Sequence, residues 1–172
     1  MPITPLINEH ELQTLCKQLG QQISTDYEGK NPLIVGILKG CQPFLSDLTR
    51  NITIPVQITY MKVRSYTGMA SSGNIHIALD VDIPITGREV IIVEDIIDTG
   101  TTMVNICSFL QNKHPKSLKV VTLLDKPSKR TKDFTADYVG KEVDDIFVVG
   151  YGFDYDEEYR NLPYVGVLQQ EH

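Results

Sequence analysis

The chain lacks the marks of a disulfide scaffold or a zinc site. Its three cysteines, Cys16, Cys41 and Cys107, are odd in number and include no C-x-x-C pair, a usage suited to a reducing cytosol. An excess of positive charge is missing too: 16 Lys and Arg stand against 22 Asp and Glu, a formal net charge of −6. Nothing sequence-wide would attract a phosphate backbone, which argues against nucleic acid as a partner and leaves a small anion at a local site open. No apolar run approaches the ~20 residues of a membrane span. The first residues, MPITPLINEHEL, show no basic stretch followed by an apolar one, so no signal peptide and no membrane partner are expected. Repeats, linkers and low-complexity tracts are also missing. What remains is a single domain of 172 residues, 41% hydrophobic and 22% charged, close to globular averages and expected in the cytoplasm.

Periodicity divides the chain into alternating elements. Leu12, Leu15, Cys16, Leu19 and Ile23 share one helical face over 8–26, with Asn8 as N-cap and Glu11 completing a capping box. Residues 32–38 (PLIVGIL) form a branched apolar run that predicts a buried strand, and 44–50 a helix with Pro43 in its first turn. Residues 52–63 and 74–81 alternate as strands around SYTGMASSG, a small, polar segment that reads as a mobile loop on an antiparallel flap. Thr86-Gly87 marks a turn before a strand over 90–93; a helix is expected over 101–113, with Met103, Ile106, Cys107 and Leu110 on one face. A strand over 118–124, an irregular stretch over 127–145, and strands over 146–149 and 164–168 complete the chain. This order predicts an α/β domain with a mostly parallel central sheet flanked by helices.

The strand over 90–93 runs into Glu94, Asp95, Ile96, Ile97, Asp98, Thr99, Gly100, Thr101 and Thr102. In such a sheet, ligands bind beyond the carboxyl ends of the strands. Gly100 permits close backbone approach, the threonines add hydroxyl donors, and the following helix presents its positive end. Together these make a phosphate site. The loop has neither the lysine nor the spacing of a Walker A motif. Carboxylates beside a phosphate make sense when they accept hydrogen bonds from sugar hydroxyls or share Mg²⁺, a combination that points to ribose 5-phosphate. The plain alternative is an acidic loop with Asp98 as an N-cap and nothing bound.

VIIVEDIIDTGTT resembles the phosphoribosyl pyrophosphate signature of type I phosphoribosyltransferases, and its EDIIDTG form resembles the hypoxanthine–guanine phosphoribosyltransferases. Further pieces extend the resemblance from about Leu33 to Val167. It implies one phosphoribosyltransferase domain over 1–172, with a core over about 30–150, a hood from the N- and C-terminal segments, and a flexible loop over about 65–73. Leu38, Lys39 and Gly40 match the pyrophosphate-binding loop, with a cis peptide implied between Leu38 and Lys39. Ser65 and Tyr66 match the Ser-Tyr pair of the flexible loop, whose closure would exclude water. Lys126 matches the lysine that donates to the purine 6-oxo group. Phe147 and Val148 match the residues that stack on the base and pair with its edge. Asp154 matches a Mg²⁺-binding aspartate, and Arg160 an arginine on pyrophosphate.

The resemblance implies a purine salvage enzyme that transfers 5-phosphoribose from phosphoribosyl pyrophosphate to N9 of a 6-oxopurine. Mg²⁺ is the implied cofactor, held by Glu94, Asp95 and Asp154. Asp98 is then the general base for the N7 proton. Glu94 and Asp95 hold the ribose hydroxyls, and Thr99, Gly100, Thr101 and Thr102 the 5′-phosphate. A homodimer or homotetramer is implied. The rival from another class is a regulatory protein on the same fold that binds RNA or an effector; the charge of −6 disfavours it.

Overall fold

Leu33–Leu38 (β2) is an apolar strand buried throughout except at its last residue, the pattern of a strand covered on both faces. The computed structural model describes residues 1–65 and 75–169, and among these β2 lies inside a six-stranded sheet. Its neighbours are Gln57–Ser65 (β3) and Glu89–Ile97 (β5), both parallel to it. Ser117–Asp125 (β6) pairs parallel with β5, and Tyr138–Glu142 (β7) parallel with β6. Only Ile75–Leu79 (β4) runs antiparallel, against β3 at the other edge. The expected mixed α/β architecture with a mostly parallel sheet is the one observed.

Alternation along the strands divides the core. Ile34, Ile91, Val93, Val121 and Leu123 face one side, where they meet Leu12, Cys16, Leu19 and Ile23 of Glu9–Asp26 (α1) and Phe44, Leu45 and Leu48 of Gln42–Arg50 (α2). Leu33, Val35, Val90, Ile92 and Val120 face the other, against Met103, Ile106 and Leu110 of Thr101–Gln111 (α3). Each fully buried Leu or Ile stabilises the fold by about 1.5–3 kcal/mol. The start of α1 is fixed by a capping box: the Glu11 amide donates to Asn8 Oδ1 at 2.8 Å, and the Asn8 amide to Glu11 Oε2 at 3.1 Å.

Several elements differ from the sequence reading. Ile3–Ile7 (β1) is a strand, paired antiparallel with Val165–Leu168 (β9), with an irregularity between Pro5 and Ile7. The run over 146–149 contributes only Val148–Val149 (β8), and it joins β9 and β1 in a separate three-stranded sheet. β3 begins at Gln57 instead of residue 52, because Pro55 precedes it and cannot donate to a ladder. The stretch expected to be irregular contains β7, a short edge strand with no fully buried residue. Finally, β5 does not end at Val93. Its ladder with β6 continues through Glu94↔Thr122, Ile96↔Leu124 and Ile97↔Asp125, so Glu94 and Asp95 are strand residues.

Candidate active site at the carboxyl ends of the parallel strands

The carboxyl-terminal end of β5 carries two adjacent carboxylates. Glu94 is buried, at 8% exposure, and Asp95 is half-buried. The Asp95 amide donates to Glu94 Oε1 at 3.0 Å, and the Ile96 amide to Asp95 Oδ1 at 2.6 Å. Burial first, and then the charge of Asp95, push the Glu94 carboxyl well above the ordinary range. Burial raises Asp95 as well, opposed by hydrogen bonds from Glu94 and the Ile96 amide and by the Arg160 charge. The loop after β2 lies directly against this pair: a Cβ at Gly40 would stand 1.8 Å from Asp95 Oδ2. Only glycine fits there, and the Leu38–Lys39 peptide that leads into it is cis, as the resemblance implied.

Beyond β5 the chain turns through Gly100, whose φ of +88° is left-handed and suits glycine, and which caps α3 with no side chain. Thr99 Oγ1 donates to Thr101 Oγ1 at 3.1 Å and accepts the Thr101 amide at 3.3 Å. A cavity of about 140 Å³ opens between Glu94, Asp98, Thr99, Gly100 and Thr102. Its size and its helix N-terminus suit a phosphate group. Sequence reasoning missed the residue that holds this loop. Arg130 Nη1 donates to the Asp98 carbonyl at 2.6 Å and Nε to the Phe134 carbonyl at 2.9 Å, while Nη2 pairs with the buried Asp125 carboxylate. The Thr131 and Lys132 amides donate to the Thr99 carbonyl at 3.0 and 3.2 Å. No motif announces Arg130; it stands in the stretch read as irregular.

Next to the loop, at the end of β6, lies Lys126, a lysine only 7% exposed. Its amide donates to the Ile97 carbonyl at 2.9 Å, which ties it to the end of β5. Nζ stands 3.4 Å from Asp98 Oδ1 and 4.0 Å from Asp145 Oδ1, and Lys129 Nζ is 3.2 Å from Asp145 Oδ2. Val148 is buried, but Phe147 is 40% exposed and its ring meets Tyr155 edge-on, with centroids 5.8 Å apart. An exposed aromatic ring fits stacking better than a core role.

A third group involves the loop after β2 and the segment after β8. Lys39 Nζ lies 2.7 Å from Glu157 Oε2. Arg160 Nη2 lies 3.1 Å from Glu157 Oε1 and 3.3 Å from Asp154 Oδ1, and its Nη1 donates to the Gly152 carbonyl at 2.7 Å. Arg160 Nε is buried with no partner among the described residues. The structure thus brings Glu94, Asp95 and Gly40 together, Asp98 with Lys126, and Lys39, Asp154 and Arg160 together. Tyr66 and the rest of the expected 65–73 loop lie outside the described residues; Ser65 is the last residue of β3.

Among the described residues no group of three or more His, Cys, Asp or Glu converges to hold a metal ion. Glu94 and Asp95 are adjacent, whereas Asp154 is engaged by Arg160 and by the Glu157 amide. The donor set fits Mg²⁺ all the same. That ion takes one or two carboxylates and completes its shell with phosphate oxygens and water, and a buried carboxylate pair with raised proton affinity is suited to a compensating cation.

A family model described as a phosphoribosyl transferase domain matches residues 6–157. A protein of Staphylococcus aureus named hypoxanthine-guanine phosphoribosyltransferase is 48% identical over 167 residues, 96% of this chain and 93% of that one. A Listeria monocytogenes protein named bifunctional protein TilS/HprT is 47% identical over 96% of this chain, which spans only 26% of that relative's length. The crystal structure of a hypoxanthine phosphoribosyltransferase from Staphylococcus aureus superposes with a TM-score of 0.93 at 48% identity, covering 96% of this chain and 90% of its own.

Proposed function

The chain belongs to the phosphoribosyl transferase domain family, and from that premise we propose that it is a purine salvage enzyme that transfers 5-phosphoribose from phosphoribosyl pyrophosphate to N9 of hypoxanthine or guanine. The products are IMP or GMP and pyrophosphate. One observation carries this reading: the buried Lys126 stands beside Asp98, directly next to the phosphate-sized cavity at the ends of β5 and β6. A fixed ammonium donor suits a 6-oxo group and not an exocyclic amine.

The division of labour follows from the chemistry. The bond from C1′ to pyrophosphate breaks, the bond from C1′ to N9 forms, and positive charge develops on the sugar between. Thr99 to Thr102 and the start of α3 anchor the 5′-phosphate. Glu94 and Asp95 accept hydrogen bonds from the ribose hydroxyls. Asp98 receives the proton that leaves N7, while Lys126 holds the base and Phe147 covers its face. Lys39, the amides around Gly40, and Arg160 stabilise the departing pyrophosphate. Glu94, Asp95 and Asp154 would hold Mg²⁺, which would supply further positive charge to the phosphate oxygens. Positioning of the two reactants accounts for much of the rate.

By the same family analogy the enzyme works in the cytoplasm as a homodimer or homotetramer. No helix among the described residues is long and apolar enough to cross a membrane. The regulatory alternative is not favoured by the names of the relatives. A spectrophotometric assay with phosphoribosyl pyrophosphate and Mg²⁺ against hypoxanthine, guanine, xanthine and adenine tests the proposal. Turnover is expected with hypoxanthine or guanine and not with adenine. Absence of turnover with all four overturns it.

A further inference from the structure

Lys39 and Arg160 come from distant parts of the chain, yet one carboxylate joins them. Glu157 Oε2 takes Lys39 Nζ at 2.7 Å and Oε1 takes Arg160 Nη2 at 3.1 Å. Two oxygens on one anionic centre, each meeting a different cation, is the pattern a phosphoryl group would present to the same pair. The backbone aims this side chain. Glu157 has a φ of +66° and Asp156 a φ of +53°, and the Glu157 amide is held by Asp154 Oδ2 at 3.0 Å. A non-glycine residue in that region is uncommon and calls for a local reason. The side chain is nevertheless 62% exposed, so it can swing into water without unpacking anything. Hydrogen bonds from Lys39 and Arg160 hold its carboxyl below the ordinary range, which agrees with the geometry.

We propose that Glu157 is an internal stand-in for pyrophosphate: it holds Lys39 and Arg160 between turnovers, is displaced when phosphoribosyl pyrophosphate binds, and recaptures both cations as pyrophosphate leaves. The inference rests on the reading of Lys39 and Arg160 as the pyrophosphate side of the site, and adds to it a residue that sets affinity there. Asp154 meets only Arg160, at 3.3 Å, whereas Glu157 meets both cations and so offsets the repulsion between them. The same competition weakens pyrophosphate binding, which favours product release. A ligand that reaches only one of the two cations leaves Glu157 on the other, so a group spanning both is selected over a single phosphate.

The test compares the wild-type chain with Glu157→Gln by calorimetric titration of inorganic pyrophosphate in the presence of Mg²⁺. The variant is expected to bind roughly 5- to 20-fold more tightly, the gain from freeing a site that is otherwise competent about a tenth of the time. The KM for phosphoribosyl pyrophosphate should fall in parallel and the KM for hypoxanthine should stay within about twofold. Glu158→Gln removes the same charge one residue away and is expected to leave pyrophosphate binding within about twofold, which separates direct competition from a general field. Equal or weaker binding by Glu157→Gln, or equal tightening by Glu158→Gln, overturns the inference alone. Failure of the wild-type chain to bind pyrophosphate at all overturns the reading of the site, and the inference with it.

Discussion

Lys126 Nζ and Asp98 Oδ1 stand 3.4 Å apart, with the lysine side chain 9% exposed and the aspartate 49% exposed. A lysine this buried needs a counter-charge, and here it has two, because Asp145 Oδ1 also lies 4.0 Å from Nζ. On the proposed reading, when Asp98 accepts a proton and loses its charge, Asp145 remains to balance the ammonium. The pair can therefore carry out a proton transfer without leaving a buried charge alone.

Asp98→Asn keeps the shape and removes the proposed base. Turnover should fall by about 10²–10⁴-fold, the usual range for a positioned general base. Binding of phosphoribosyl pyrophosphate, measured by titration, should change by less than about threefold, since Asp98 is not assigned to it. A variant with normal kcat would place the base elsewhere.

Lys126→Met keeps the buried stem and deletes the ammonium. Losing a charged hydrogen bond costs about 1.5–3 kcal/mol, so kcat/KM for hypoxanthine should fall roughly 10- to 150-fold. Adenine should lose much less. The comparison is a ratio of kcat/KM values, and an unchanged ratio would remove Lys126 from base recognition.

Arg130→Ala strands the Asp125 carboxylate, which is 5% exposed, and frees the Asp98 and Phe134 carbonyls. Breaking a buried pair from one side costs about 3–5 kcal/mol, which lowers Tm by roughly 6 °C or more for a chain of this size. Adding Asp125→Asn should restore part of the Tm and none of the loop's hold on the substrate phosphate. Full recovery of KM for phosphoribosyl pyrophosphate in the double variant would show that Arg130 acts only through Asp125.

Glu94→Gln bears on pH. The carboxyl is raised in the folded chain relative to the unfolded one, so between its ordinary range and its raised value the folded state binds more protons. Stability from this group is complete below the ordinary carboxylate range and is lost as pH rises through the raised value. Glutamine removes that dependence. Without added substrate, the Tm of Glu94→Gln relative to wild type should rise as pH increases above the ordinary carboxylate range and shrink as pH falls back towards it. Its affinity for phosphoribosyl pyrophosphate should fall. A Tm difference that does not change with pH would contradict the burial argument.

The doubly covered strands were legible because an unbroken branched run such as LIVGIL has few other uses. β1 was hidden by Pro2 and Pro5, which demote a run to non-strand although an edge position tolerates them. β7 was hidden because an edge strand with no fully buried residue carries no clear apolar–polar alternation. Glu94 and Asp95 read as the residues after a strand, since a polar pair ends an apolar run; main-chain pairing with β6 continues past them regardless of side chain. Among the site residues, those gathered at β5 and its loop are contiguous and could be read as a motif. The roles of Arg130 and Glu157 depend on contacts across 32 and 118 positions, a separation at which periodicity and local composition are silent.

The left-handed residues after β8 have a bearing on how the chain could be re-engineered. Tyr151, Asp156, Glu157 and Tyr159 all have positive φ, and none gains from it what glycine or asparagine would. This short coil therefore holds local conformational cost that the sheets do not share. It can be redrawn residue by residue while the sheet stays fixed. Thermostabilisation by design would start at Tyr159, whose φ of +76° asparagine tolerates better, with the side chains of Lys39, Glu157 and Arg160 left as they are. Retuning of product affinity would start two residues earlier. Both levers lie in one stretch of ten residues, and the hydrophobic core need not change for either.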